Sequence, residues 1–434
     1  ASNNTAIGTF ALCANTTGFG TAVGYGAMKA NTTSAGGTAM GYQALCSNTT
    51  GDNNTAFGLE TLSKNTTGSS NTAVGRDALE VNTTGCRNVA LGSFAGLAIT
   101  TGIENVAIGY ESLKNEDAHG RNTAVGTQAL FAQNAGADAY NVAVGYQAGA
   151  AISTGVQNTM VGAFSGDGIT TGQYNVGVGI HAVGSTTTAS NNTGLGYNAL
   201  FTNTTGHSNT AVGIYSLNNN TTGFCNVAIG KNALLANTTT CKNVAIGSDA
   251  LCSHTVNGVE NTAVGHGAQK SNTEGYYNTS VGKNSLVNVT TGDNNISLGR
   301  DSGADAVRNI TSGDNEIVIG NNSNGSAFIK IDWTVTSDLR DKTEIADVPY
   351  GLNFVNQITP IKYKFKTSRE NETPNGKTRF GFKAQEILAL EGDNPILVNN
   401  EDTDNLKLTG AYLVPVLVNA IKELKAEIDE LKKG

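Results

Sequence analysis

One stretch concentrates reactive side chains. Ser337-Asp338-Leu339-Arg340-Asp341-Lys342 sets a hydroxyl, two carboxylates, a guanidinium and an amine within six positions. A hydroxyl is a weak nucleophile, and a desolvated, neutral lysine is able to take its proton. The same serine equally suits the cap of a following helix. Elsewhere the chemistry is sparse. The five histidines (His119, His181, His207, His254, His266) do not cluster, and the acidic residues of the first 320 positions show no carboxylate pair of the kind a glycan hydrolase needs. None of the six cysteines falls in a Cys-x-x-Cys spacing, and the Gly-Gly-x-Gly-x-Asp phrase of calcium-binding solenoids is absent. No cofactor or metal is expected.

Two compositions meet near this stretch. All five prolines (Pro349, Pro360, Pro374, Pro395, Pro415) lie beyond Trp333, and 48 of the 54 glycines lie before it. Charge density triples across the same point, from 32 of 332 residues to 30 of 102. The net charge of −8 has no basic patch and no run of like charges, so nucleic acid and anionic membrane are poor partners. No apolar run reaches the roughly 18 residues that span a bilayer, so no membrane insertion is expected. The start, Ala1-Ser2-Asn3-Asn4, is not a signal peptide and falls inside a repeat, which reads as a fragment or a processed terminus.

The elements that precede the reactive stretch form one long repetition. The phrase Asn71-Thr72-Ala73-Val74-Gly75 recurs, with its glycine at 8, 24, 41, 58, 75, 92, 109, 126, 145, 162, 179, 196, 213, 230, 247, 265, 282, 299 and 320; 14 of the 18 spacings are 17 residues. So strict a period marks a solenoid, in which each coil buries its apolar side against its neighbours. Three residues before the glycine every coil has Thr, Val or Ile, and one before it every coil has a sizeable apolar residue (Ile7, Met40, Phe57, Val212). Both point to one face of a strand, and this face is expected to be the buried one. Opposite them stand the glycine and a small residue, usually Ala (Ala6, Ala73, Ala143, Ala228). So small a face suggests close approach of another backbone, other subunits included, although the glycine equally suits a corner of positive φ.

A second apolar column lies four residues after the glycine (Leu12, Met28, Leu79, Leu130, Val183, Leu234), and Asn stands four before it in 16 coils. Segments such as Asn48-Thr49-Thr50-Gly51 fall between strands, where stacked Asn side chains are able to bond along the axis. Each coil therefore reads as two short strands and two turns. At a rise of about 4.8 Å per coil the stack reaches about 90 Å. The cysteines (Cys13, Cys46, Cys86, Cys225, Cys241, Cys252) recur at coil positions and read as small buried apolar groups, with disulfides as the alternative. Asn-x-Thr triplets match the glycosylation sequon but suit the turn for their own reasons. A Thr array of the ice-ordering kind is interrupted by Val89, Val106, Val142 and Val176.

These repeats resemble the heads of trimeric autotransporter adhesins, and still more the repeats of long phage and virus tail fibres. Asn141-Val142-Ala143-Val144-Gly145-Tyr146-Gln147-Ala148 carries the latter likeness. The resemblance covers residues 1–320 and implies a homotrimeric, mainly β, parallel β-solenoid shaft. After it, Ala327-Phe328-Ile329-Lys330-Ile331-Asp332-Trp333 alternates as a closing strand within a linker, 321–336, that caps the open end.

Residues 337–434 resemble the intramolecular chaperone domain at the C-terminus of phage endosialidase tailspikes and many tail fibres. The likeness begins at Ser337-Asp338-Leu339-Arg340-Asp341-Lys342. It continues through Leu352-Asn353-Phe354-Val355, Pro360-Ile361-Lys362-Tyr363-Lys364-Phe365, Phe380-Gly381-Phe382-Lys383-Ala384-Gln385-Glu386-Ile387 and Tyr412 to Leu424. It implies a small α+β domain that assembles the trimer and then cuts itself off. By the same resemblance Ser337 is the nucleophile, Lys342 the general base and Thr336–Ser337 the scissile bond. Asp338 and Arg340 are then supporting residues that orient the turn or neutralise charge.

A helix over 411–433 closes the chain. Val414, Leu417, Ile421, Leu424, Ile428 and Leu431 alternate by three and four, a coiled-coil seam flanked by charges. Under three heptads long, it is marginal alone and is expected to dock on its own domain. The whole reads as a structural and adhesive fibre in a virion tail, with two further copies of itself and a host surface glycan or protein receptor as partners. A cell-surface adhesin or extracellular filament is the alternative, and a polysaccharide-degrading tailspike a third reading.

Overall fold

Only three consecutive residues of most repeats are extended, because glycine closes the β-forming triplet on one side and Asn opens it on the other. Nineteen strands result, from β1 (Thr5–Ile7) to β19 (Ile317–Ile319). This computed structural model describes residues 3–433 apart from 256, 306, 325–336, 367–371, 394, 401, 402 and 405. The closing strand expected within 327–333 and the residue Thr336 lie outside the described residues. Two units form, Ala1–Gly320 and Asn321–Gly434.

In the first unit every strand pairs in parallel with the next. Thr72 stands beside Val89, Ala73 beside Ala90 and Val74 beside Leu91, so each column is continuous. Gly75 shows why the strand must end in glycine. Its φ is +129°, and a Cβ there would sit 2.6 Å from the carbonyl of Gly92 in the next coil. The solenoid and its 17-residue period thus agree with the sequence, with about eighteen turns joining the nineteen strands.

The remainder of the coil departs from the expectation of two strands: there is one strand per coil, and the second apolar column lies in a run of tight turns. Left-handed residues recur two and four positions after the glycine, as at Asp77 (φ 54°) and Leu79 (φ 50°). This curls the backbone while its N–H groups still reach the neighbouring coil, Leu79 N to Ala95 O at 3.0 Å. A left-handed residue costs roughly 1–2 kcal/mol. Full burial of a leucine returns about 1.5–3 kcal/mol, so the leucine column is stable in a conformation that leucine alone avoids.

The orientation of the strand is also the reverse of the expectation. Ala22, Ala39, Ala73, Ala143 and Ala228 are wholly buried, whereas the large residues beside them face outward, Val74 at 40% exposure and Ile229 at 37%. The reason is thickness. Seventeen residues enclose a space in which Ala, the alanine three after the glycine and the leucine four after it already meet (Ala73, Ala78, Leu79). Where the fourth position is glycine, the seventh turns aliphatic to refill the space. A Cβ on Gly96 would stand 3.0 Å from Ile99 Cδ1 and from Leu79 Cδ2.

Two asparagine ladders flank this core. Asn71 Nδ2 donates to Gly85 O at 2.8 Å, and its Oδ1 accepts from Asn88 N at 2.9 Å. In the second ladder Asn82 Nδ2 donates to Asn65 Oδ1 at 2.7 Å. Each bond would cost about 1–3 kcal/mol if one side were left orphaned in the interior. The cysteines are a further correction: all six are free, Cys13 and Cys225 exposed and the others half-buried, on outward columns rather than in the core.

The second unit is built from α1 (Leu352–Val355), β20 (Ile361–Lys366), β21 (Pro374–Gly381), α2 (Ala384–Glu391), β22 (Val398–Asn399), β23 (Lys407–Leu408) and α3 (Leu413–Leu431). The strands form two antiparallel pairs. Phe354, Ile387, Leu397, Val398, Leu413 and Val416 make its core. The carboxylate of Glu391 accepts from the N–H groups of Ile396, Leu397 and Val398 at 2.8, 2.7 and 3.0 Å, fixing the start of β22. Helix α3 begins two residues later than the sequence suggests, after a 3-10 turn at Gly410–Tyr412, and tolerates Pro415 because its first turn has N–H groups to spare.

Helix α3 docks on its own unit, as expected, but with a different stripe. Leu413, Val416 and Ala420 are buried, while the seam residues Val414, Leu417, Ile421, Leu424, Ile428 and Leu431 stay exposed. Asn419 Nδ2 donates to Tyr350 O at 3.0 Å, and Glu423 accepts from Leu352 N at 2.6 Å, which locks the helix to α1.

Candidate active site

A single turn of 3-10 helix, Leu339–Asp341, brings the ends of the reactive stretch together. Its cap is Asp338, whose carboxylate accepts from Arg340 N at 2.9 Å. Lys342 N closes the turn on Leu339 O at 3.2 Å. Ser337 is therefore not the capping residue, and its hydroxyl is free for another partner. That partner is Lys342, whose Nζ donates to Ser337 Oγ at 2.7 Å and to Ser337 O at 3.3 Å.

The supporting residues pair with each other. Arg340 reaches Asp338 through Nε at 3.1 Å and Nη2 at 2.5 Å. The Arg340 side chain, with its backbone N–H second, holds the Asp338 carboxyl below the usual carboxylate range, and the carboxylate in turn raises the guanidinium. This pairing occupies the Asp338 carboxylate on the guanidinium, while the lysine bonds to the serine. Of the site residues expected from the sequence, Ser337 and Lys342 thus meet, Asp338 and Arg340 meet, and Thr336 lies outside the described residues. Ser337 and Lys342 are both exposed in the single chain.

What the pair does chemically depends on one proton. With a protonated amine the lysine donates to the hydroxyl. With a neutral amine the bond reverses, the hydroxyl donates, and Oγ becomes a nucleophile. A lysine reaches that neutral state near pH 7 only where water is excluded.

The exposed stripe of α3 is the feature of this unit that the sequence locates without its consequence. Its periodicity is visible in sequence, but that the helix docks through the other stripe requires the fold.

Comparison with protein-family models matches residues 337–393 to the family described as the chaperone of endosialidase. The match begins at Ser337 itself. The chain accordingly carries an intramolecular chaperone domain of that type behind a β-solenoid shaft, an arrangement that implies self-association and autoproteolysis in a fibre-like protein. Neither curated proteins nor solved structures include a match to the chain.

Proposed function

We propose that three copies of this chain assemble into a fibre that attaches a virion to its host, and that each copy then severs its C-terminal unit before Ser337. The observation that carries the reading is the 2.7 Å contact between Ser337 Oγ and Lys342 Nζ at the first residue of the matched domain. In the cleavage step neutral Lys342 takes the hydroxyl proton while Oγ bonds to the carbonyl carbon of Thr336. The C–N bond of the Thr336–Ser337 peptide then breaks, and the proton passes to the freed α-amine of Ser337. Water hydrolyses the resulting ester, releasing Thr336 as a carboxylate and restoring the serine hydroxyl.

Exposure sets the order of events. The pair is open to water in the single chain, and a neutral lysine needs a dry setting, so cleavage waits until neighbouring copies cover it. The outward strand face is the natural seam of the shaft. Met40, Val74, Leu91, Val144, Val178, Ile229, Ile246, Val281 and Leu298 stand in one exposed column. Contiguous apolar surface on this scale marks an interface. The free stripe of α3 is the matching seam of the C-terminal unit. Once the clamp is gone the shaft has no route back through the assembly pathway, and its stability becomes kinetic.

The test is the intact mass of purified full-length chain beside Ser337→Ala. Wild type is expected to yield a shaft fragment ending at Thr336, and the variant a full-length trimer. A wild-type trimer that stays full length sinks the autoprotease reading. Attachment is tested separately, by binding of the cleaved fibre to host cells.

A further inference from the structure

The column seven residues after each coil glycine is dry along much of the shaft. It holds laddered asparagines (Asn65, Asn82, Asn203, Asn220) or aliphatic residues (Ile99, Ile152), all fully buried. Gln133, Thr186 and His254 are neutral exceptions, and among the described coils one alone places an acid here. Glu116 occupies this column, wholly buried, in the coil after Ile99 and before Gln133. Its Oε1 accepts from His119 N at 3.2 Å. Its Oε2 is buried without a partner, and so is Nδ1 of His119. The desolvation is large enough to push the Glu116 carboxyl up to about 7.

The turn has been rewritten around this carboxylate. Where Asn82-Thr83-Thr84-Gly85 is typical, this coil reads Glu116-Asp117-Ala118-His119-Gly120. One ligand-type atom each from Glu116, Asp117 and His119 lie within 4.8 Å of one another. We propose that Glu116, Asp117 and His119 bind a divalent transition cation of the zinc class, which clasps this turn of the shaft. Two carboxylate oxygens with an imidazole nitrogen suit zinc, whereas calcium and magnesium take oxygen ligands throughout. Zinc bonds of about 2.0–2.2 Å require the three atoms to close in from their present separations. The cation would neutralise the buried carboxylate, in a turn where Glu116 Oε2 and His119 Nδ1 both lack a protein partner. The rival arrangement is a hydrogen bond from Gln133 Nε2, also buried without a partner, to a rotated Glu116.

Full-length chain without an affinity tag, stripped with chelator, is titrated with Co2+ and then challenged with Zn2+. Expected are saturable visible bands of oxygen and nitrogen ligation that Zn2+ abolishes. Glu116→Asn installs the residue that neighbouring coils carry in this column, so it should keep the thermal transition yet lose affinity by about a hundredfold or more. His119→Gln should lose as much. Absence of saturable binding by folded wild type overturns the proposal. So does unchanged binding by Glu116→Asn, or a near-ultraviolet thiolate band that assigns the metal to the cysteines.

Discussion

In the shaft a partner lies seventeen positions away, as when Asn71 bonds to Asn54 and Asn88. In the C-terminal unit the bonds that dock α3 span some seventy, as when Asn419 bonds to Tyr350 and Glu423 to Leu352. The difference separates strength from information. Contacts of the first kind are interchangeable between coils of equal length, so a slip of one period between chains forfeits little wherever the spacing stays at 17. Contacts of the second kind occur once, and a unit built from them is able to fix where neighbouring chains begin. Each kind needs the other.

Substitutions test that division, the most drastic first. Ser337→Ala should abolish cleavage while leaving a trimer of intact shafts, read by intact mass and light scattering. Lys342→Met should slow the same cleavage by about 10²–10⁴-fold, the usual contribution of a general base. Next, Leu417→Glu with Ile421→Glu charges the free stripe of α3 and leaves its docked stripe, Leu413, Val416 and Ala420, alone. The C-terminal unit should still fold by circular dichroism, but trimer yield in size-exclusion chromatography should collapse. A normal yield would deny the unit its registering role.

Within the shaft the two strand faces make a finer contrast. Ile229→Asp on the outward face should cost several kcal/mol in the assembled fibre, since it buries an unpaired charge in the seam. If that face met water the change would stay within about 0.5 kcal/mol. Ala228→Leu on the inward face should cost about 1–3 kcal/mol by overpacking in either case. Thermal unfolding of both variants, assembled and as dilute monomer, separates the two.

The smallest effect concerns His254, which replaces an asparagine of the second ladder and donates through Nε2 to Gly258 O at 2.7 Å. Burial, partly offset by bonds to the backbone at Gly258 and Asn272, lowers its pKa below the ordinary 6.5. The unfolded chain therefore takes up a proton that the folded one refuses. Stability should be full above about pH 6.5 and fall below it, by at most about 1.4 kcal/mol per pH unit. His254→Asn should flatten that slope in a pH series of melting temperatures.

Much of the fold is legible in the sequence, because repetition multiplies every signal. The period, the strand and the asparagine ladders are each written many times. Which face of the strand is buried is not legible. Alternation shows that Ala73 and Val74 point opposite ways, and the habit of placing the larger residue inside fails when a coil is too thin to hold it. The turn is hidden for a related reason, since Leu79 in a left-handed backbone contradicts its own preference and is held there by neighbours. The Ser337–Lys342 pair is legible through resemblance. Its freedom from the cap requires seeing Asp338 take that place. His119 looks solitary because the groups that gather near it are a glutamate and an aspartate in an irregular turn.

The coil-to-coil bonds carry one more consequence, a mechanical one. A pull along the stack loads the coil interfaces in series, so the breaking force is that of the weakest interface however many there are. Around Glu116, Asn122 and Gln133 buried polar atoms lack protein partners, which weakens the interfaces they face. A cation seated there would act as a rivet at that point.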